Sequence, residues 1–261
     1  MGVVYITDRS LDGLLTAVFT AYYTRDAVEG IEQGPPAQYD FTVRYREIET
    51  CEDQAVRVMA AIEQKIGDLA MHSVTRAWLS ELPGSGMQIL EFLRLGFAWG
   101  PSVMDRPTHP HVAAVLQAAR KVSREQYRML GLLRFRRLRS GPYLALMAPD
   151  HHQLPLIAPH FAGRMGASPW IIHDERRRQS ALGEGGNWCI VPGKLPGEPR
   201  WDDEETVFQN LWRQYHRIIA IDSRINPLLQ RAMMPRRYWK YLIEQPDALY
   251  RTPGALKSIP P

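Results

Sequence analysis

The chain has 261 residues, 45% of them apolar and 23% charged, with a formal net charge of +4 and an isoelectric point near 9.1. Two cysteines far apart, Cys51 and Cys189, exclude a disulfide framework, a CxxC motif and a cubane cluster held by thiolates alone, and they point to a reducing cytoplasm. The opening MGVVYITDRS carries no signal-peptide pattern, and no apolar run approaches the roughly 20 residues that span a bilayer, so no membrane contact is expected.

In chain order, Val3 to Thr7 is β-branched and aromatic and reads as a first strand. Ser10 is an N-cap for a helix with Leu11, Leu14, Leu15, Val18 and Tyr22 on one face. A Gly34-Pro35-Pro36 loop then precedes a short strand at about 41–46. Thr50 is expected to cap a helix with apolar positions Val56, Met59, Ile62 and Ile66. Further helices are expected over 72–82 and 86–98, each closed by Gly and Pro. Pro110 suits the first turn of a long helix with Val112, Val115, Leu116, Ala119, Val122 and Met129 inside, stopped by Gly131.

The texture changes after 130. LLRFRRLRS and YLALMAPD read as the two arms of a hairpin. Pro149 to Arg178 holds four of the eight histidines, and its short apolar blocks, bounded by Pro and Gly, suggest a packed turn-helix-strand unit. A strand at about 170–174, a turn at Gly183 to Gly186 and a partner strand NWCIV follow. Asp202 caps a helix to about Ile221, with Val207, Leu211, Tyr215 and Ile218 on one side. NPLLQRAMMPRRYWKYL is the last ordered block, and the tail after Pro246 is expected to be frayed.

Several blocks together resemble one bacterial family, the "probable DNA metabolism protein" family. They are VVYITDRSLDGLLTAVFTAY, WLSELPG with LRLGF, VSREQYRMLGLLRF, PDHHQLPLIAPHFAGRM, SPWIIHDERR and RAMMPRRYWKYL. The likeness runs in order from about residue 3 to 242. Members are encoded beside, and thought to partner, a radical SAM protein assigned to DNA repair or modification. Some are fused to a uracil-DNA glycosylase domain, which has no counterpart in these residues, so base excision is not carried over. The resemblance implies DNA and a radical SAM protein as partners. It implies no cofactor held by this chain, since the partner would carry an iron–sulfur cluster and S-adenosylmethionine.

Three sets of residues could carry chemistry. The first is basic and aromatic: Arg134, Arg136, Arg137 and Arg139 on a strand, Arg176, Arg177 and Arg178 after another, and Arg236, Arg237 and Lys240 beside Tyr238, Trp239 and Tyr241. Guanidinium forks suit phosphates and aromatic rings stack on bases, so these residues and Arg128 are candidate nucleic-acid contacts; a solvated, salt-bridged surface is the alternative. The second is Asp150, His151, His160, His173 and Asp174. Asp150, His151, His160 and His173 are of metal-ligating type, and a water on such a metal could cut a phosphodiester. Without compact ligand pairs, the favoured reading of these residues is turn caps and strand ties; with Trp170, His173 and Asp174 could also form a pocket for a flipped base. The third is Glu125 with Arg128, either a surface ion pair or a buried pair facing an anion. His151, His173, Asp174 and Glu125 are therefore the catalytic candidates. Phe19, Tyr22, Trp78, Phe92 and Phe97 read as core. No phosphate loop and no nucleophile elbow is present.

The reading is an α+β protein: a mostly helical N-terminal part packed on an antiparallel or mixed sheet formed largely by the C-terminal part. One domain is expected over 1–245, helical over about 8–130 and sheet-rich over about 131–245, with the strand at 3–7 joining that sheet and a flexible tail at 246–261. The expected function is a DNA-binding accessory component of a repair or modification system. It would position DNA for the radical SAM enzyme and be non-catalytic itself. A metal-dependent nuclease or base-processing hydrolase, and a protein–protein adaptor, are the alternatives.

Overall fold

A computed structural model describes residues 2–24 and 26–244. The tail expected to be frayed lies outside them. The chain is α+β and divides into two units, with the boundary between Arg124 and Glu125. Each unit has its own sheet and its own buried apolar cluster.

In the first unit, β1 (Val3–Thr7) is the middle strand of a parallel three-stranded sheet, flanked by β2 (Val28–Gln33) and β3 (Arg44–Glu47). The first strand therefore does not join the C-terminal sheet. Val3, Tyr5, Ile6 and Thr7 are all buried, as a middle strand of a parallel sheet requires, and β2 and β3 take up both of its edges. Ser10 caps α1 (Leu11–Tyr23), its Oγ accepting from the Gly13 N–H at 2.8 Å. The next helix, α2 (Glu52–Lys65), starts after Cys51 rather than at a Thr50 cap, and buries Ala55, Val58 and Ile62 while Val56 faces solvent. Following it are α3 (Asp68–Leu79) and α4 (Ser85–Trp99). The Trp78 indole N–H donates to the carbonyls of Arg9 and Ser10, which fastens α3 to the start of α1. A Cβ on Gly86 would stand 2.3 Å from the Ile31 carbonyl oxygen, so only glycine lets α4 lie this close to β2.

The long helix α5 (Pro110–Leu132) runs through Gly131 instead of stopping there. The second sheet follows in the order β4-β5-β6-β7-β8: β4 (Arg136–Arg137), β5 (Tyr143–Met147), β6 (Trp170–Asp174), β7 (Gln179–Glu184) and β8 (Asn187–Pro192). Only β5 and β6 are parallel, and α6 (Leu154–Met165) connects them. The stretch 149–178 is thus the loop, helix and strand of a β-α-β unit. Leu154, Ile157, Ala158 and Phe161 of α6 bury against the sheet. Gly183 lies inside β7, not in the turn, because it faces Trp170 across the ladder; a Cβ there would stand 2.1 Å from the indole ring. The turn itself is Gly185-Gly186.

The helices α7 (Glu205–Ile219) and α8 (Pro227–Met233) close the described chain, with a 3-10 segment at Arg236–Tyr241. The expected stripe Val207, Leu211, Tyr215, Ile218 does share α7, but all four side chains are exposed, as are Phe208, Leu228 and Leu229. Among the described residues, no helix is long and apolar enough to cross a membrane.

Candidate functional site

Strands β5 and β6 run parallel, so their carboxyl ends leave the sheet on the same side. In open sheets this is where loops gather into binding sites. Here the loop after β5 carries Pro149 to Gln153, and the loop after β6 carries Glu175 to Arg178. The 3-10 segment Arg236–Tyr241 joins them through side-chain contacts.

Glu125 holds the first loop from beneath. It is 3% exposed and accepts four hydrogen bonds. The backbone N–H groups of Asp150 and His151 donate to its two oxygens at 2.8 Å each, Gln153 Nε2 at 3.3 Å, and the Tyr238 hydroxyl closes the set. Burial and the adjacent carboxylate push the Tyr238 phenol well above its ordinary range, so it stays a donor. The expected ion pair of Glu125 with Arg128 is absent. Instead Arg128 points its Nη2 at the Ala232 carbonyl, 3.3 Å away.

Asp174 organises the second loop. Its Oδ1 accepts from the N–H groups of Arg176 and Arg177, and its Oδ2 pairs with Arg177 Nη1 at 2.9 Å. The side chains of this pair are 8% and 0% exposed. The same guanidinium donates to the carbonyls of Pro149 and Asp150. Arg177 is therefore a staple between the loops, with its side chain 8% exposed. His173 is buried beside Asp174, with Nδ1 2.8 Å from Ser180 Oγ across the ladder. Burial lowers its pKa, against the pull of Glu175 and Asp174. Trp170 is equally buried. His173 thus ties β6 to β7, Trp170 packs on Gly183 of β7, and Asp174 anchors the loop after β6; all three side chains are buried.

The metal reading meets the same geometry. His160 is exposed on α6, edge-on to Phe161, while His173 is bonded inside the sheet. Asp150 faces two guanidiniums. Among the described residues, no three His, Cys, Asp or Glu side chains stand close enough to hold a metal.

Exposed cations remain on the rim. Arg176 and Arg237 both face Asp150, at 3.9 and 2.7 Å, with side chains 58% and 46% exposed. Arg237 also lies 4.6 Å from the Tyr238 ring centre. Lys240 pairs with Glu175 at 3.1 Å, and the Tyr241 hydroxyl donates to the same oxygen. Arg236 stacks on Trp239, whose indole N–H donates to the Met234 carbonyl.

The β4 arginines lie elsewhere. Arg136 and Arg137 pair with Leu144 and Tyr143, at the start of β5. One strand length, roughly 15 Å, separates that end from the loops above. There Arg136 stacks 4.0 Å over Trp201, Arg137 faces Asp202 and Arg139 pairs with Asp203. Arg134 is consumed by the buried carboxylate of Glu244 at 2.6 Å and lies over Trp212. Two of the three basic segments therefore converge, and the third does not. Sequence reading offered Glu125 as a catalytic candidate and Arg177 as a candidate nucleic-acid contact, each beside a structural alternative. Their structural task depends on partners such as Tyr238, 113 positions away, which no local spacing reveals.

No curated protein and no solved structure matches this chain. A family model described as a domain of unknown function, DUF4130, matches residues 83–244. That span takes in both loops, Glu125 and the 3-10 segment, and since it covers more than half of the sequence, the chain belongs to the DUF4130 family.

Proposed function

We propose that this protein is a DNA-binding accessory component of a repair or modification system, and that the rim at the carboxyl ends of β5 and β6 touches the DNA backbone. The observation that carries this reading is the sharing of one exposed carboxylate, Asp150, by two exposed guanidiniums, Arg176 and Arg237. Exposed ion pairs contribute only about 0–1 kcal/mol, so a phosphate can displace Asp150 from either arginine at little cost. Lys240 extends the same rim. The buried bonds of Glu125 and Arg177 hold both loops still, which lowers the ordering cost of binding. The resemblance to the DNA metabolism family supplies the process and the radical SAM protein as the partner that would do the chemistry. The cluster and S-adenosylmethionine would belong to that partner.

Fluorescence anisotropy with labelled single- and double-stranded oligonucleotides at low salt tests this. Binding is expected, and Arg176→Ala/Arg237→Ala should weaken it at least tenfold. No binding at low salt, alone or with the partner present, would overturn the reading.

The second reading is a protein–protein adaptor. It is favoured by the exposed apolar side chains of α7 and α8, from Val207 and Phe208 through Leu211 and Ile218 to Leu228 and Leu229. Co-purification with a partner that persists at high salt and without DNA would favour it.

A further inference from the structure

The first unit carries a groove with no role in the reading above. It has a volume of about 390 Å3 and lies among α1, α2 and α4. Four aromatic rings line it. Phe19 and Tyr23 stack at 4.3 Å with 23° between their planes, and Tyr22 meets Phe97 edge-on at 5.8 Å. Phe19, Tyr22 and Phe97 read as core in the sequence, yet Tyr22 is 47% exposed, and the neighbouring Tyr23 is 70% exposed. Exposing aromatic rings to water is unfavourable unless something else covers them. Two cations stand at the edge. The guanidinium carbon of Arg57 lies 5.2 Å from the Phe19 ring centre, and Lys65 Nζ lies 5.9 Å from that of Phe97. Both side chains are exposed, and among the described residues neither is paired with a carboxylate.

We infer that this groove binds a nucleotide, with the base against the Phe19, Tyr22, Tyr23 and Phe97 rings and the phosphate between Arg57 and Lys65. The chemistry of each half selects that class. Aromatic faces accept any planar heterocycle by stacking, without reading its edges. A guanidinium and an ammonium left without carboxylates complement an anion. The volume suits one ring with its sugar and phosphate, since it lies near the lower end of small-ligand pockets, about 300–1,000 Å3. A free nucleotide and one nucleotide of a single strand present the same groups. This site does not depend on the rim of the second unit.

Titration calorimetry on the full chain separates these sources. The probes are thymidine monophosphate, adenosine monophosphate, a short oligothymidylate, thymidine and inorganic phosphate. Saturable binding of the monophosphates or of the oligothymidylate is expected, and thymidine and phosphate should each bind more weakly. Arg57→Ala/Lys65→Ala and, separately, Tyr23→Ala should each weaken binding about tenfold, with unchanged melting temperatures. Repeating the titrations in an Arg176→Ala/Arg237→Ala background should leave monophosphate binding unchanged. Binding of the oligothymidylate but not the monophosphates would mark the source as a nucleic-acid strand. No binding up to millimolar probe, inorganic phosphate binding as tightly as the monophosphates, or variants binding like the parent would overturn the proposal.

Discussion

At the scale of single residues, the acidic groups of the second unit do the holding. Glu125 is buried and serves four donors, so removing it takes an acceptor from each of them. Glu125→Ala should cost about 3–5 kcal/mol in a chemical denaturation experiment, whereas Tyr238→Phe, which removes one donor, should cost about 1–3 kcal/mol. A loss below 1 kcal/mol for Glu125→Ala would mean that the carboxylate is not the anchor. His173 sets a pH dependence. Its folded pKa is lowered from 6.5, so as pH falls the unfolded chain takes the proton first. This contribution is full above about pH 6.5 and is lost as pH drops through the lowered value. His173→Gln should therefore flatten the fall in unfolding free energy as pH drops below about 6.5. An unchanged slope would show that His173 does not titrate in this way. The sequence did make these residues conspicuous, because histidines, aspartates and arginines cluster in one stretch. It could not assign their partners. A buried carboxylate and a surface one have the same local spacing, and only the Tyr238 and Glu244 contacts, far along the chain, decide which is which.

At the scale of elements, periodicity located most helices and strands. The β-α-β unit at 143–174 follows from apolar blocks that Pro and Gly punctuate. Strand β2 escaped because VEGIEQ offers only Val28 and Ile31 to the core. The stripe of α7 was legible from its spacing, but spacing does not say what covers it, and among the described residues its four side chains are exposed. Gly183 shows how a turn residue can be a packing residue. Adding a methyl group there forces the buried Trp170 ring aside, so Gly183→Ala should destabilise the protein by about 1–3 kcal/mol in thermal or chemical unfolding. Gly185 and Gly186, with nothing within 4 Å of a built Cβ, face no such clash, although their positive φ angles favour glycine. A neutral Gly183→Ala would contradict the close Trp170 contact.

For the molecule as a whole, the α+β class was legible and the sheet that the first strand joins was not. Which sheet a strand joins depends on contacts between distant segments, and the apolar texture of Val3 to Thr7 fits either sheet. The same limit explains the arginines. Three basic segments are plain in the sequence, but the register of β4 on β5 sends one of them to the other end of the sheet. What remains together is a rim of Arg176, Arg237 and Lys240 on loops fixed by Glu125 and Arg177. If phosphates replace Asp150 at this rim, binding must release counterions. The measurement that bears most directly on this is the salt dependence of DNA affinity for the parent protein and for Arg176→Ala/Arg237→Ala. The expected result is a steep linear fall of log affinity with log salt, with the slope smaller by about 2 in the variant. Equal slopes, or no affinity at low salt, would contradict it.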